Sequence, residues 1–172
     1  MQKTLHSWKN LSLFEETLTL PNGVVTNHTS INHPGAVVIL AKTPSGKLLL
    51  LNQYRPSLKE WLLEIPAGTL EPNEDPFAAA KRELEEETGY SAKKWQSLGK
   101  LTPMAGFCNE IQYLYFAEDL TLTQRLEADT DEVIEVLEVS IDELLQWVQQ
   151  DRISDAKTIA AVSKALLSGT LS

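Results

Sequence analysis

Residues 68–90 read GTLEPNEDPFAAAKRELEEETGY, and this stretch decides what the rest of the chain must support. Asp75 is a good N-cap residue, and Pro76 stands at the first helical position, where its missing N–H costs nothing. Ala78, Ala79 and Ala80 are the strongest helix formers, and Gly89 suits the left-handed residue just past a helix end. The spacing therefore predicts a helix over 76–88. On it, Glu83, Glu86 and Glu87 are three and four apart and share one face. Like charges at that spacing repel, and they sit near a C-terminus, where the helix dipole disfavours negative charge. A bound cation resolves the conflict. Oxygen-only ligation suits a hard ion such as Mg²⁺, which takes one or two carboxylates together with waters and substrate phosphates. Taken alone, a glutamate run is more often a solvated acidic face.

The longer pattern narrows the choice. Gly68, Glu74, Arg82, Glu83, Leu84, Glu86, Glu87, Gly89 and Tyr90 fit G-x5-E-x7-R-E-U-x-E-E-x-G-U, where U is apolar or aromatic. At average residue usage that coincidence arises on the order of once in 10⁹ starting points. The stretch resembles a complete Nudix box, with no position departing from it. Leu20-Pro21-Asn22-Gly23, His33-Pro34-Gly35-Ala36, Gln53-Tyr54-Arg55, Glu64-Ile65-Pro66-Ala67-Gly68 and Gly106-Phe107-Cys108-Asn109-Glu110 are similar to the ADP-ribose and nucleoside-diphosphate-sugar branch. The box is specific for the superfamily; the flanking pieces point to the branch and say little about substrate.

The resemblance implies an α+β protein with the Nudix fold, an α/β/α sandwich around a mixed β-sheet. It implies hydrolysis of the pyrophosphate of a nucleoside diphosphate linked to a sugar, with ADP-ribose giving AMP and ribose 5-phosphate. GDP-mannose or another nucleotide sugar is the alternative. A catalytically silent binding module would show lost box carboxylates, and none is lost here. The implied metal ligands for Mg²⁺, or Mn²⁺, are Glu83, Glu86, Glu87 and the Ala67 carbonyl. Glu110 resembles the branch's loop glutamate, acting as base or within the metal site, and Glu86 shares the catalytic role. Many members have Pro-Gly where this chain has Ala105-Gly106, which bears on loop stiffness rather than on the carboxylate.

Other site residues are read from their chemistry. Arg55 presents a rigid fork suited to a substrate phosphate, or is a plain surface arginine. Glu64 either contacts substrate or supports the site, and Trp61 either stacks on substrate or packs. Gly68 permits a sharp turn or a close approach to ligand. Glu74 and Arg82 read as a structural pair locking the loop against the helix. Glu110 could equally be an exposed acid.

At 172 residues, with 42% hydrophobic and 23% charged residues, the chain is of single-domain size and ordinary globular composition. A net charge of -9 argues against nucleic-acid binding and poses a problem for a phosphate-binding enzyme, which metal ions would solve. The start shows no signal-like apolar run, and no 18-residue apolar stretch offers a membrane span. A lone Cys108 excludes an internal disulfide and fits a reducing cytoplasm; it reads as an inert thiol rather than a nucleophile.

Residues 1–35 read as a β extension too thin to hold a core alone, with a turn at Pro21-Asn22-Gly23. The resemblance implies that it packs on, or swaps into, a second subunit of a homodimer. Trp8 and Phe14 are interface residues or ordinary core. Residues 36–172 form the hydrolase domain. Within it, residues 36–41 read as a buried strand joined by a Thr43-Pro44-Ser45-Gly46 turn to a strand over 47–51, as a hairpin. Further strands are expected at 61–65, 95–101, 111–117 and 133–139, with a polar loop over 120–131. Ser140 and Glu143 make a capping box for a helix to residue 150, and 154–167 form a last amphipathic helix.

Overall fold

The computed structural model describes residues 2–123 and 133–171. Its elements run β1 (Gln2–Trp8), β2 (Leu11–Thr19), β3 (Val25–Asn32), β4 (Ala36–Ala41), β5 (Leu48–Arg55), β6 (Glu60–Glu64), β7 (Ala67–Thr69), α1 (Pro76–Thr88), β8 (Tyr90–Leu101), β9 (Gln112–Leu122), β10 (Ile134–Val139), α2 (Ile141–Gln149) and α3 (Ala156–Leu167). The central helix has the expected ends. The Asp75 carboxylate accepts from the N–H groups of Phe77 and Ala78, and Gly89 lies at φ 74°. That left-handed backbone is open to glycine without penalty.

The strands form three sheets, ordered β1-β2-β3, β10-β5-β6 and β7-β4-β9-β8. The last is mixed: β4 runs parallel to β9 and antiparallel to β7. Every residue of β4 is buried, and its side chains alternate between two cores. Val37, Ile39 and Ala41 join Ala79, Ala80 and Leu84 of α1, whereas Val38 and Leu40 join Leu144 of α2 and Ala161, Val162 and Ala165 of α3. Helices thus cover both faces of the sheet, an α/β/α sandwich in which the expected alternation of Tyr113 and Tyr115 against Leu114 and Phe116 also holds.

The expected hairpin of β4 with β5 is not formed. The turn exists, with Gly46 N–H donating to the Thr43 carbonyl at 2.9 Å, but only a bridge between Lys42 and Leu48 joins its arms. Both edges of β4 are taken by β7 and β9, and both edges of β5 by β10 and β6. A turn signal states that the chain reverses, not that its arms stay in one sheet. The strands expected at 95–101 and 111–117 run longer, as β8 and β9, because the two pair along almost their whole length. Most of the loop expected over 120–131 lies outside the described residues. The capping box of α2 is present, with Ser140 and Glu143 bonded reciprocally.

The extension forms an antiparallel sheet of its own, turning where Gly23 N–H donates to the Leu20 carbonyl at 2.8 Å. Phe14 is buried within the chain, while Trp8 is exposed and stacks on His6.

Candidate active site

The last two turns of α1 face the strand β7, and the contact explains Gly68. A Cβ built on Gly68 would lie 1.9 Å from the Glu83 carboxyl carbon, and Gly68 has no positive φ. A side chain at this position would displace the Glu83 carboxylate, which lies against the Gly68 backbone. One residue earlier, the Ala67 N–H donates to Glu87 at 2.9 Å. Glu83, Glu86 and Glu87 line one cavity of about 350 Å³ with Gly68, Thr69, Glu71 and Arg82, and Lys9, Asn10 and Leu11 from the β1–β2 turn close its rim.

Arg82 holds this wall. Its Nε and Nη2 donate to the two Glu74 oxygens, each at 2.9 Å, and Nη1 reaches Glu83 and Glu86, both at 2.8 Å. Glu74 also accepts from the Glu71 N–H at 2.9 Å, so the pair ties the loop before α1 to the helix. Hydrogen bonding to Arg82 holds the Glu74 carboxyl below its usual range, and Glu74 in turn raises the guanidinium.

Across Gly68 and Thr69 lies a second cavity of about 220 Å³, lined also by Ala67, Arg55, Glu110, Gln112 and Lys157. Glu110 is 7% exposed, so it is not a simple surface acid. Its Oε1 accepts from Gln112 Nε2 at 2.9 Å, while Gln112 Oε1 is buried without a hydrogen-bond partner among the described residues. The loop carrying Glu110 is anchored by the end of β3. Ile31 N–H donates to the Phe107 carbonyl at 2.7 Å, and Asn109 N–H to the Ile31 carbonyl at 3.2 Å. Asn109 adds side-chain bonds to His33 N–H and Asn32, both at 2.8 Å. That strap steadies the loop that carries Glu110.

Arg55 and Glu64 meet directly. Arg55 Nε and Nη2 donate to Glu64 Oε1 and Oε2 at 2.7 and 2.6 Å, and Lys157 also bonds Oε2. Glu64 is 1% exposed and lines neither cavity, so it faces its cations. Burial alone would raise the Glu64 carboxyl, but Arg55 and Lys157 outweigh it and hold it below the usual carboxylate range. Trp61 lies outside both cavities, 46% exposed and edge-on to Tyr54 at 5.8 Å. Sequence reasoning missed Lys157, Gln112 and Lys9. Lys157 carried one weak signal, its place in the first turn of α3 beside the Asp155 cap. Cys108 is buried and unpaired.

The donor set suits a hard divalent ion. Three carboxylates share one cavity wall, and the Glu83 carboxyl is cradled against Gly68, where any side chain would evict it. Among the described residues no three acidic, His or Cys side chains are gathered tightly enough to enclose an ion by themselves. Mg²⁺ does not require that, because it keeps several waters and shares substrate oxygens. Among the described residues no helix is long and apolar enough to cross a membrane.

Comparison with known proteins agrees with this geometry. The chain is 41% identical over 162 residues to the ADP-ribose pyrophosphatase of Bacillus subtilis (strain 168), covering 94% of this chain and 88% of that protein. It is 39% identical over 159 residues to the methanol dehydrogenase activator of Bacillus methanolicus, covering 92% and 86%. The crystal structure of an ADP compounds hydrolase superposes with a TM-score of 0.83 over 99% of this chain and 93% of that one, at 21% identity, a likeness of fold. The NUDIX domain family model matches residues 32–162, which take in the box, the Glu110 loop, the whole lining of the 220 Å³ cavity and all of the 350 Å³ cavity's lining except Lys9, Asn10 and Leu11. With an intact carboxylate face, a glycine that only this packing explains, and relatives matched along nearly their whole length, the chain belongs to the NUDIX domain family.

Proposed function

We propose that this pyrophosphohydrolase cleaves the diphosphate of a nucleoside diphosphate linked to a sugar, with ADP-ribose giving AMP and ribose 5-phosphate. The observation that carries the reading is the packing of Glu83, Glu86 and Glu87 on one cavity wall against Gly68. Glu83, Glu86, Glu87 and the Ala67 carbonyl would hold Mg²⁺ or Mn²⁺. When bound, the ion would supply positive charge opposite the diphosphate and acidify a water.

The chain's own groups supply the rest. Glu110 takes the proton of the attacking water as its oxygen joins one phosphorus and the bridging P–O bond breaks. Gln112 ties one Glu110 oxygen and leaves the other for that proton. Arg55 steadies a phosphate through Nη1, since Glu64 occupies its other edge. Arg82 and Glu74 keep the carboxylate wall in place. Trp61 and Tyr54 offer an exposed aromatic pair for a nucleobase. The protein acts as a cytoplasmic homodimer through the N-terminal sheet, where Leu5, Trp8, Val24 and Val25 are exposed.

The test is phosphate-ester release from ADP-ribose, GDP-mannose, UDP-glucose and dinucleotides, with Mg²⁺ and with chelator. One strongly cleaved, metal-dependent substrate supports the reading and identifies it. No turnover of any member, with no metal binding by calorimetry, overturns it. Sedimentation at micromolar concentration tests the dimer; a single species near 19 kDa counts against it.

A further inference from the structure

We propose that Lys157, at the start of α3, binds a substrate phosphate and completes a two-cation cradle with Arg55 in the 220 Å³ cavity. This deepens the proposed function and rests on it. The charged walls of that cavity are Arg55, Lys157 and Glu110. Glu64 is shut away behind the cations and aims them. It takes Nε and Nη2 of Arg55 at 2.7 and 2.6 Å, and one N–H of Lys157. Arg55 Nη1 has no partner among the described residues. The Lys157 ammonium has three donors, of which Glu64 and Asp155, at 3.0 Å, take two.

Asp155 is held in turn. Its second oxygen accepts from the Thr158 N–H and hydroxyl at 2.9 and 2.6 Å, so its charge also serves the start of α3. The remaining donors of Arg55 and Lys157 therefore suit the oxygens of an anion.

The test compares wild type with Lys157→Met, Lys157→Gln and Lys157→Arg. Loss of a charge-assisted bond to phosphate raises KM for the cleaved nucleotide sugar about tenfold or more. It leaves kcat within about threefold, as lost uniform binding does. Affinity for ribose 5-phosphate and for inorganic pyrophosphate, by calorimetry, falls by a similar factor, and Lys157→Arg regains most of it. If either neutral variant folds with unchanged KM and unchanged affinity for both anions, Lys157 is only a prop for Glu64 and the inference fails. A loss confined to kcat or to the melting temperature overturns it equally. Should wild type cleave no member of the substrate panel, the proposed function falls, while the two calorimetric arms still decide whether Lys157 binds phosphate.

Discussion

Gly68 divides two walls with opposite character. On one side, the 350 Å³ cavity is faced by Glu71, Glu83, Glu86 and Glu87, with Arg82 and Lys9 as its cations. On the other, the 220 Å³ cavity is faced by Arg55 and Lys157, with Glu110 as its acid. The first wall comes mostly from one helix and the loop before it; the second is gathered from β4, β5, β7, β9, α3 and the loop before β9. The difference bears on the problem set by a net charge of -9. The acid is concentrated on one helix face, and on the other wall a buried carboxylate, Glu64, orients two cations. A substrate diphosphate lying across Gly68 would touch both walls.

The sharpest way to break this comparison is to damage the divide. Gly68→Ala forces the Glu83 carboxylate away, since the added Cβ would lie 1.9 Å from its carbon. We expect kcat to fall on the order of a thousandfold or more, because several kcal/mol of transition-state charge stabilisation is lost with the carboxylate geometry. Circular dichroism and steady-state kinetics check that activity is lost while the fold remains. Next comes Glu110→Gln, expected to lower kcat by roughly 10²–10⁴ with little change in KM, the range for a removed general base.

Arg82→Ala ranks third. It removes the Arg82 contacts to Glu74, Glu83 and Glu86 together, and because these groups are partly exposed we expect a loss of about 1–2 kcal/mol by urea denaturation. Activity should fall further than Glu74→Gln makes it fall, since only Arg82 touches the carboxylate wall.

The smallest effect lies in pH dependence. The Glu64 carboxyl is held below its ordinary range in the folded protein, so its stabilising contribution is present above the unfolded value and is lost as pH falls through the lowered native value. Melting temperature should therefore drop on acidification below the ordinary glutamate range. Glu64→Gln should be less stable than wild type at neutral pH and show a flatter acid limb. An unchanged acid limb would mean that the Arg55–Glu64–Lys157 group contributes nothing to the fold.

The two walls also differ in how far the sequence revealed them. The acidic wall was legible because helical spacing places Glu83, Glu86 and Glu87 together without tertiary information, and capping chemistry marks both helix ends. Even there the reason for Gly68 was hidden: the residue reads as a turn former, and only the packing shows a steric demand. The basic wall was illegible as a unit. Arg55, Glu110 and Lys157 approach only because β5, the Glu110 loop and α3 converge on one edge of the mixed sheet. No local pattern ties Lys157 to Glu64, 93 positions away. The fold followed the same division. Buried β4 and the three helices were readable from apolar runs and caps, whereas the β4–β5 hairpin failed because strand pairing is settled by competition for edges.

The most direct test of the central claim is the rate of ADP-ribose cleavage against Mg²⁺ concentration for wild type and Glu83→Gln. The account predicts saturable activation of wild type, no turnover in chelator, and a rate lower by on the order of a hundredfold or more in the variant at every Mg²⁺ concentration. Equal turnover by the two proteins, or wild-type turnover that persists in chelator, would contradict it.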